Sequence, residues 1–203
     1  MGTAAERIMP SLGPRETSRD RLVRAAALLV DSGGGADLTM EAVATAASVS
    51  RATAYRHFSS RHELVLHLVL LAAEDLAADC FRLMEQAHGS REKLRVTFDH
   101  VMLTAVESER IKLLVELGMS PTPETVQEWT ERVLGQVVKD GQAAGELRTD
   151  LETDEILQWL GEELIAMVRM THRDFDFLMR RSHNFVLPAV YSSHEPPRRG
   201  RKK

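Results

Sequence analysis

The sequence predicts an all-α protein, with an N-terminal three-helix head built around a helix-turn-helix and a larger helical body behind it. Three observations carry this. Ala, Leu, Val, Glu and Arg are plentiful while aromatic residues make up only 5% of the 203 residues, so strand formers are scarce. Apolar residues recur at i, i+3, i+4 and i+7, one face of a helix. Gly-, Pro- or Ser-bearing breaks separate the periodic stretches.

Residues 1–16 contain Gly2, Pro10, Gly13 and Pro14 without periodicity and read as a flexible arm. Helix 1 begins near Thr17 or Ser18, carries Leu22, Ala25, Ala26 and Leu29 on one face, and ends at Gly33-Gly34-Gly35. Thr39 can cap a second helix bearing Met40, Val43, Ala44 and Ala47. Ser48-Val49 breaks it, and Ser50 can cap a third helix over about 51–58. Two short helices joined by a very short turn form a helix-turn-helix, whose second helix can enter a DNA major groove. After Ser59-Ser60, Arg61 opens a long helix to about Ala87. Further helices follow at about 91–107, 109–118, 122–143, 153–171 and 175–190. The expected division is an arm (1–16), a helix-turn-helix head (17–62), a helical body (63–191), to which the family resemblance described below assigns effector binding and dimerisation, and a basic tail (192–203).

Composition excludes several classes. Hydrophobic residues at 43% and charged residues at 28% are ordinary for a soluble globular protein. A single cysteine, Cys80, rules out an intrachain disulfide framework and a cysteine zinc site. No run approaches 18 apolar residues, and Met1–Pro10 has no secretory pattern, so a cytoplasmic protein without a membrane partner is expected. The net charge of −4 is unevenly spread. Residues 1–64 hold 8 basic and 7 acidic residues, residues 65–197 hold 13 and 23, and residues 198–203 hold five basic and no acidic ones. A less acidic head and a basic tail on an acidic body fit nucleic acid at one end, although solvated faces also produce such asymmetry.

Catalytic and metal-binding patterns fail on spacing. His62 and His67 are five apart, roughly 140° around a helix, and cannot share a metal. His172-Arg173-Asp174 has Met179 where a kinase loop needs Asn. Gly33-Gly34-Gly35 follows a helix, not a strand, so it is no dinucleotide cradle. The adjacent pairs Glu162-Glu163 and Asp154-Glu155 point different ways. No catalytic site, metal site or cofactor is expected.

The segments Leu38-Thr39-Met40-Glu41-Ala42-Val43-Ala44, Ala47-Ser48-Val49-Ser50-Arg51-Ala52-Thr53-Ala54-Tyr55-Arg56-His57-Phe58 and Arg61-His62-Glu63-Leu64 resemble the DNA-binding head of the tetracycline-repressor (TetR) family, ungapped over about residues 20–66. Gly141–Asp150 is similar to the family's junction before its last two helices. Ser48 stands where the family has Gly, which implies strain or an altered turn. Ala54 replaces a bulky aliphatic, and Arg61 replaces Lys.

The chemistry of the head is readable on its own terms. Arg51 and Thr53, with Ser50 and Ala52 beside them, lie at the end of the recognition helix that meets base edges. Arg can give two hydrogen bonds to guanine. Tyr55, Arg56, His57 and Arg61 can bond phosphate oxygens, although Tyr55 is also compatible with a half-buried ring and Arg56 with plain solvation. The amides around Thr39 and Met40 can do likewise through the helix dipole. Val49 and Phe58 should anchor the motif to helix 1.

For the body, the resemblance implies a homodimer formed through the last two helices and often a small effector. Broad apolarity there nominates Leu160, Leu164, Met167, Leu178 and Phe185 for the interface, or for the subunit's own core. Phe81, Met84, Phe98, Met102, Trp129, Val133 and Trp159 are the candidates to line a pocket for a small hydrophobic effector, or to be plain core. The reading is a regulator, a repressor released from a palindromic double-stranded DNA operator by that effector. An architectural DNA-binding dimer without effector and a helical protein-interaction module remain the alternatives.

Overall fold

The structure, a computed structural model, describes residues 16–35, 38–119, 121–170 and 174–193. Most of the arm, the tail from residue 194, and His172 and Arg173 lie outside the described residues. Those described are almost entirely helical, with one isolated antiparallel bridge, Leu147 to Tyr191.

Side-chain caps set the start of each head helix. Thr17 and Asp20 form a reciprocal capping box at α1 (Ser18–Leu29). A π-helical turn, Val30–Gly34, ends it, with Gly33 at φ +83°. The Thr39 hydroxyl accepts from the Ala42 amide at 3.1 Å and starts α2 (Met40–Ala46). Ser50 accepts from the Thr53 amide at 3.1 Å and starts α3 (Arg51–His57). Between them the Ser48 amide donates to Thr45 and the Val49 amide to Ala44, both at 3.0 Å, with Ser48 at φ +53°. This is a Schellman closure with serine in the left-handed seat. Other helices of the chain end the same way on Gly118 and Gly145. The strain that the sequence implied at Ser48 is therefore present.

Helix α4 (Arg61–Gln86) is 26 residues long, about 39 Å at the helical rise. Its first turns complete the head's core, and its later ones belong to the body's. Leu64, Val65, Leu68 and Val69 pack with Leu22, Ala26, Val43, Ala54 and Phe58. Ala77, Cys80 and Met84 pack with α5 (Ser90–Glu107), α7 (Pro123–Ala143) and α8 (Thr153–Val168). The head's core thus extends past residue 62. It also takes Leu113 and Leu114 from α6 (Glu109–Glu116), far along the chain.

Helices α7 and α8 pack closely where Gly161 faces α7; a Cβ there would stand 2.9 Å from the Thr130 hydroxyl. The single helix expected over 175–190 is interrupted. It runs as α9 (Phe175–Arg181), a π-turn over Ser182–Val186, and α10 (Leu187–Val190). Pro188 explains the break: it lacks an N–H and its ring clashes with the carbonyl four residues back, so the preceding turn widens.

The interface expectation needs correction. Leu160, Met167 and Leu178 are fully buried, and Leu164 nearly so, inside one subunit's core, because α5 and α7 pack on α8 and α9 packs on α5. Of the five, only Phe185 presents its side chain outward, at 72% exposure.

Relief of the left-handed serine should show in stability. Ser48→Gly is expected to stabilise the fold by about 1 kcal/mol, the usual scale of that penalty. Urea unfolding at unchanged m-value checks it.

Candidate nucleic-acid interface and effector cavity

Helix α3 presents one polar face. Ser50, Arg51, Ala52, Tyr55 and Arg56 are exposed, and Thr53 and His57 half so, while Ala54 and Phe58 turn inward and are buried. This division follows from the helical period: 54 and 58 share one face and 51, 52, 55 and 56 the other. Arg51 is held from two sides. Its guanidinium lies 2.8 Å from Glu41 of α2 and over the Tyr55 ring, 5.4 Å from the centroid. The Thr53 and Ser50 hydroxyls are 2.9 Å apart. Thr39 stands exposed at the start of α2. The Met40 side chain is buried, so its backbone N–H is what it can offer outward.

Arg61, expected to meet phosphate, also has a partner within the protein. Its Nη2 donates to the Gly35 carbonyl at 2.8 Å, and its Nε is buried without a partner. Helix α4 starts against the chain leaving α1, and the guanidinium adds a second donor to a carbonyl that also accepts from the Leu38 amide at 3.2 Å. The contact spans 26 residues, so local pattern could not show it. Two more long-range ties were also invisible in the sequence. Arg19 of α1 stacks on Phe58 at 5.0 Å and reaches the His67 ring at 3.2 Å. Arg110 of α6 grips Asp31 with two bonds, at 3.0 and 2.7 Å.

The body holds an apolar cavity of about 480 Å³. Its wall comes from His67, Val69–Leu71, Ala73, Glu74 and Leu76 of α4, Ile111 and Leu114 of α6, Val126 and Trp129 of α7, and Leu164, Ile165 and Val168 of α8, with Val101 of α5. Of the seven residues expected to line a pocket, Trp129 does; its indole N–H donates to the Ala73 carbonyl at 3.1 Å. Met84, Phe98, Met102 and Val133 are instead locked in the filled core, and Trp159 packs against it. Phe81 lies on the surface, 42% exposed. The sequence signal that was missed is the run Leu64–Ala73, apolar all round the helix apart from His67. A surface helix needs one apolar face, and this one serves a core and a cavity together. Cys80 is inert: burial, with Asp79 adding to it, pushes its thiol up to about 12.

Among the described residues no group of His, Cys, Asp or Glu could hold a metal ion, and no helix is long and apolar enough to cross a membrane.

The head geometry meets a known pattern. The model of the bacterial regulatory proteins of the tetR family matches residues 22–68. Over that span the chain resembles the TetR family. The HTH-type transcriptional regulator BetI of Agrobacterium fabrum is 31% identical over 121 residues, 60% of this chain. That match spans about half, 52%, of the relative's length. The crystal structure of RolR in complex with resorcinol superimposes with a TM-score of 0.70 at 19% identity, over 88% of this chain and 89% of that one. FadR of Thermus thermophilus, a TetR-family repressor in complex with lauroyl-CoA, gives 0.64 at 23% identity, over 90% and 99%. At those identities the likeness is one of fold: a TetR-type head and helical body.

The Arg61 contact makes a stability prediction. Arg61→Ala should destabilise the head by about 1.5–3 kcal/mol, the range for a hydrogen bond to a charged group. Thermal unfolding followed by circular dichroism checks it.

Proposed function

We propose that the protein is a homodimeric transcriptional repressor that holds a roughly palindromic operator in the cytoplasm and releases it when a small apolar molecule fills the cavity. One observation carries the effector part. Val69 of α4 and Leu114 of α6 belong at once to the head's core and to the cavity wall. A molecule in the cavity therefore pushes on side chains that fix the seat of the DNA-binding head. Release follows only if the ligand prefers the displaced arrangement; a ligand binding both states equally would shift nothing. The ligand complexes of RolR and FadR support an effector here by analogy of fold.

On DNA, Arg51 and Thr53 read base edges, with Ser50 and Ala52 close by. Thr39, the Met40 amide, Tyr55, Arg56 and His57 bond phosphates. Glu41 and Tyr55 orient Arg51 before contact, which reduces the rotamer freedom lost on binding. Two subunits place their recognition helices ~34–36 Å apart or a multiple of it. The exposed Phe185 on the π-turn is where a second subunit makes apolar contact.

Selection of bound sequences from genomic fragments tests the reading; absence of any enriched site would overturn it. With the operator in hand, Arg51→Ala should relax preference at one position per half-site, by roughly 1–3 kcal/mol of discrimination. Glu41→Gln should alter preference at that same position, whereas Tyr55→Phe should weaken all sequences alike. Affinities for operator and random DNA across a salt series separate these effects. In the body, Ile165→Trp fills the cavity. It should abolish release by a verified effector while operator affinity stays within a few-fold, as a mobility-shift titration would show.

A further inference from the structure

The cavity carries charge at its rim, and that charge does not balance. Glu74 of α4 and Glu128 and Arg132 of α7 all belong to its lining. Arg132 donates from Nη1 to both oxygens of Glu74 at 2.9 Å. Glu128 has no hydrogen-bond or ion-pair partner among the described residues. Arg132 also stands one turn beyond Glu128, at the i, i+4 spacing where those two can meet. Whichever carboxylate the single guanidinium serves, the other is left uncompensated.

The other titratable group on the lining does not repair this. Burial, and after it the Arg19 guanidinium, hold the His67 imidazole below its ordinary value, so the ring is neutral near pH 7.5. Arg19 is itself opposed by Glu63, whose carboxyl is held low by the Ser59 hydroxyl and amide and, after them, by Arg19. Trp129 has committed its N–H to Ala73, so its ring enters the lining as a π surface, not as a donor.

Resting on the reading of this cavity as the effector site, we infer that it takes a small apolar molecule with one positive centre, a hydrophobic amine or ammonium, and discriminates against carboxylates and phosphorylated carriers. The positive centre meets the uncompensated carboxylate and the indole face, while the apolar body lies against Leu71, Ile111 and Val168. An anionic head would find no free cation and would face a like charge, the repulsive half of a specificity filter. An acyl thioester of a nucleotide carrier would bring several phosphates to a lining without a lysine whose one arginine is engaged. The volume suits one small ligand.

Three probes sharing one aromatic body test this by isothermal titration of the full-length protein at pH 7.5: 1-naphthylmethylamine, 1-naphthylmethanol and 1-naphthaleneacetate. The amine is expected to bind about 5- to 10-fold tighter than the alcohol, and the acid weakest of the three. Glu128→Gln and Glu74→Gln should each bring the amine down to the alcohol's affinity and leave the alcohol unchanged. Either change lets Arg132 neutralise the remaining carboxylate, and a merely structural glutamate would not show this equivalence. An acid that binds as well as the amine, or an amine-to-alcohol ratio kept in both variants, would overturn the charge assignment and leave the effector cavity standing. Failure of all three probes to bind would overturn the effector reading itself, and this inference with it.

Discussion

Leu113 and Leu114 are the hinge on which the architecture turns. They lie on α6, in the body by chain order, yet they close the hydrophobic core of the head. A head of three short helices buries little apolar surface alone, and small cores are marginal. It gains the missing surface from the first turns of α4 and from this one face of α6. The Asp31–Arg110 pair and the Arg61–Gly35 bond then hold the same junction through polar groups. Any displacement of α6 consequently costs the head part of its own core.

That dependence gives the cavity its position. Close-packed interiors shift between discrete arrangements instead of deforming smoothly. Val69 and Leu114 face the cavity and the head core together, so the two spaces share their packing. The long α4 joins head and body as one continuous helix, with no internal proline or glycine to break it. At the other end of the body, the Glu146 carboxylate takes the amides of Ser90 and Arg91 at 2.5 and 3.2 Å and fixes the start of α5.

The exposed face of α3 shows how a short helix is made to present specific groups. Seven residues form α3, too few to be stable alone. Ser50 caps it, Ala54 and Phe58 sink it into the core, and the Schellman closure at Ser48 sets its angle to α2. The outward residues are then free to be chosen for contact. Glu41, an acid on the side expected to face phosphate, is explained by the guanidinium it holds.

Local rules were enough for the head and for most helix boundaries. Thr39, Ser50 and the glycine run after α1 act on residues three to five positions away, and a cap needs only that much chain. The α3 face was equally legible, because helical period alone divides Ala54 and Phe58 from Arg51 and Tyr55. Periodicity could mark Phe98, Met102, Leu160 and Leu164 as apolar, but not whether the space beside them is filled by the same subunit, by another or by nothing. That depends on which helices come to lie alongside, and so did the role of Arg61, the loan of Leu114 to the head and the imbalance at Glu128. The Arg61–Gly35 and Arg110–Asp31 contacts, for instance, join residues 26 and 79 positions apart. Only the folded chain brings such groups within hydrogen-bond or van der Waals reach.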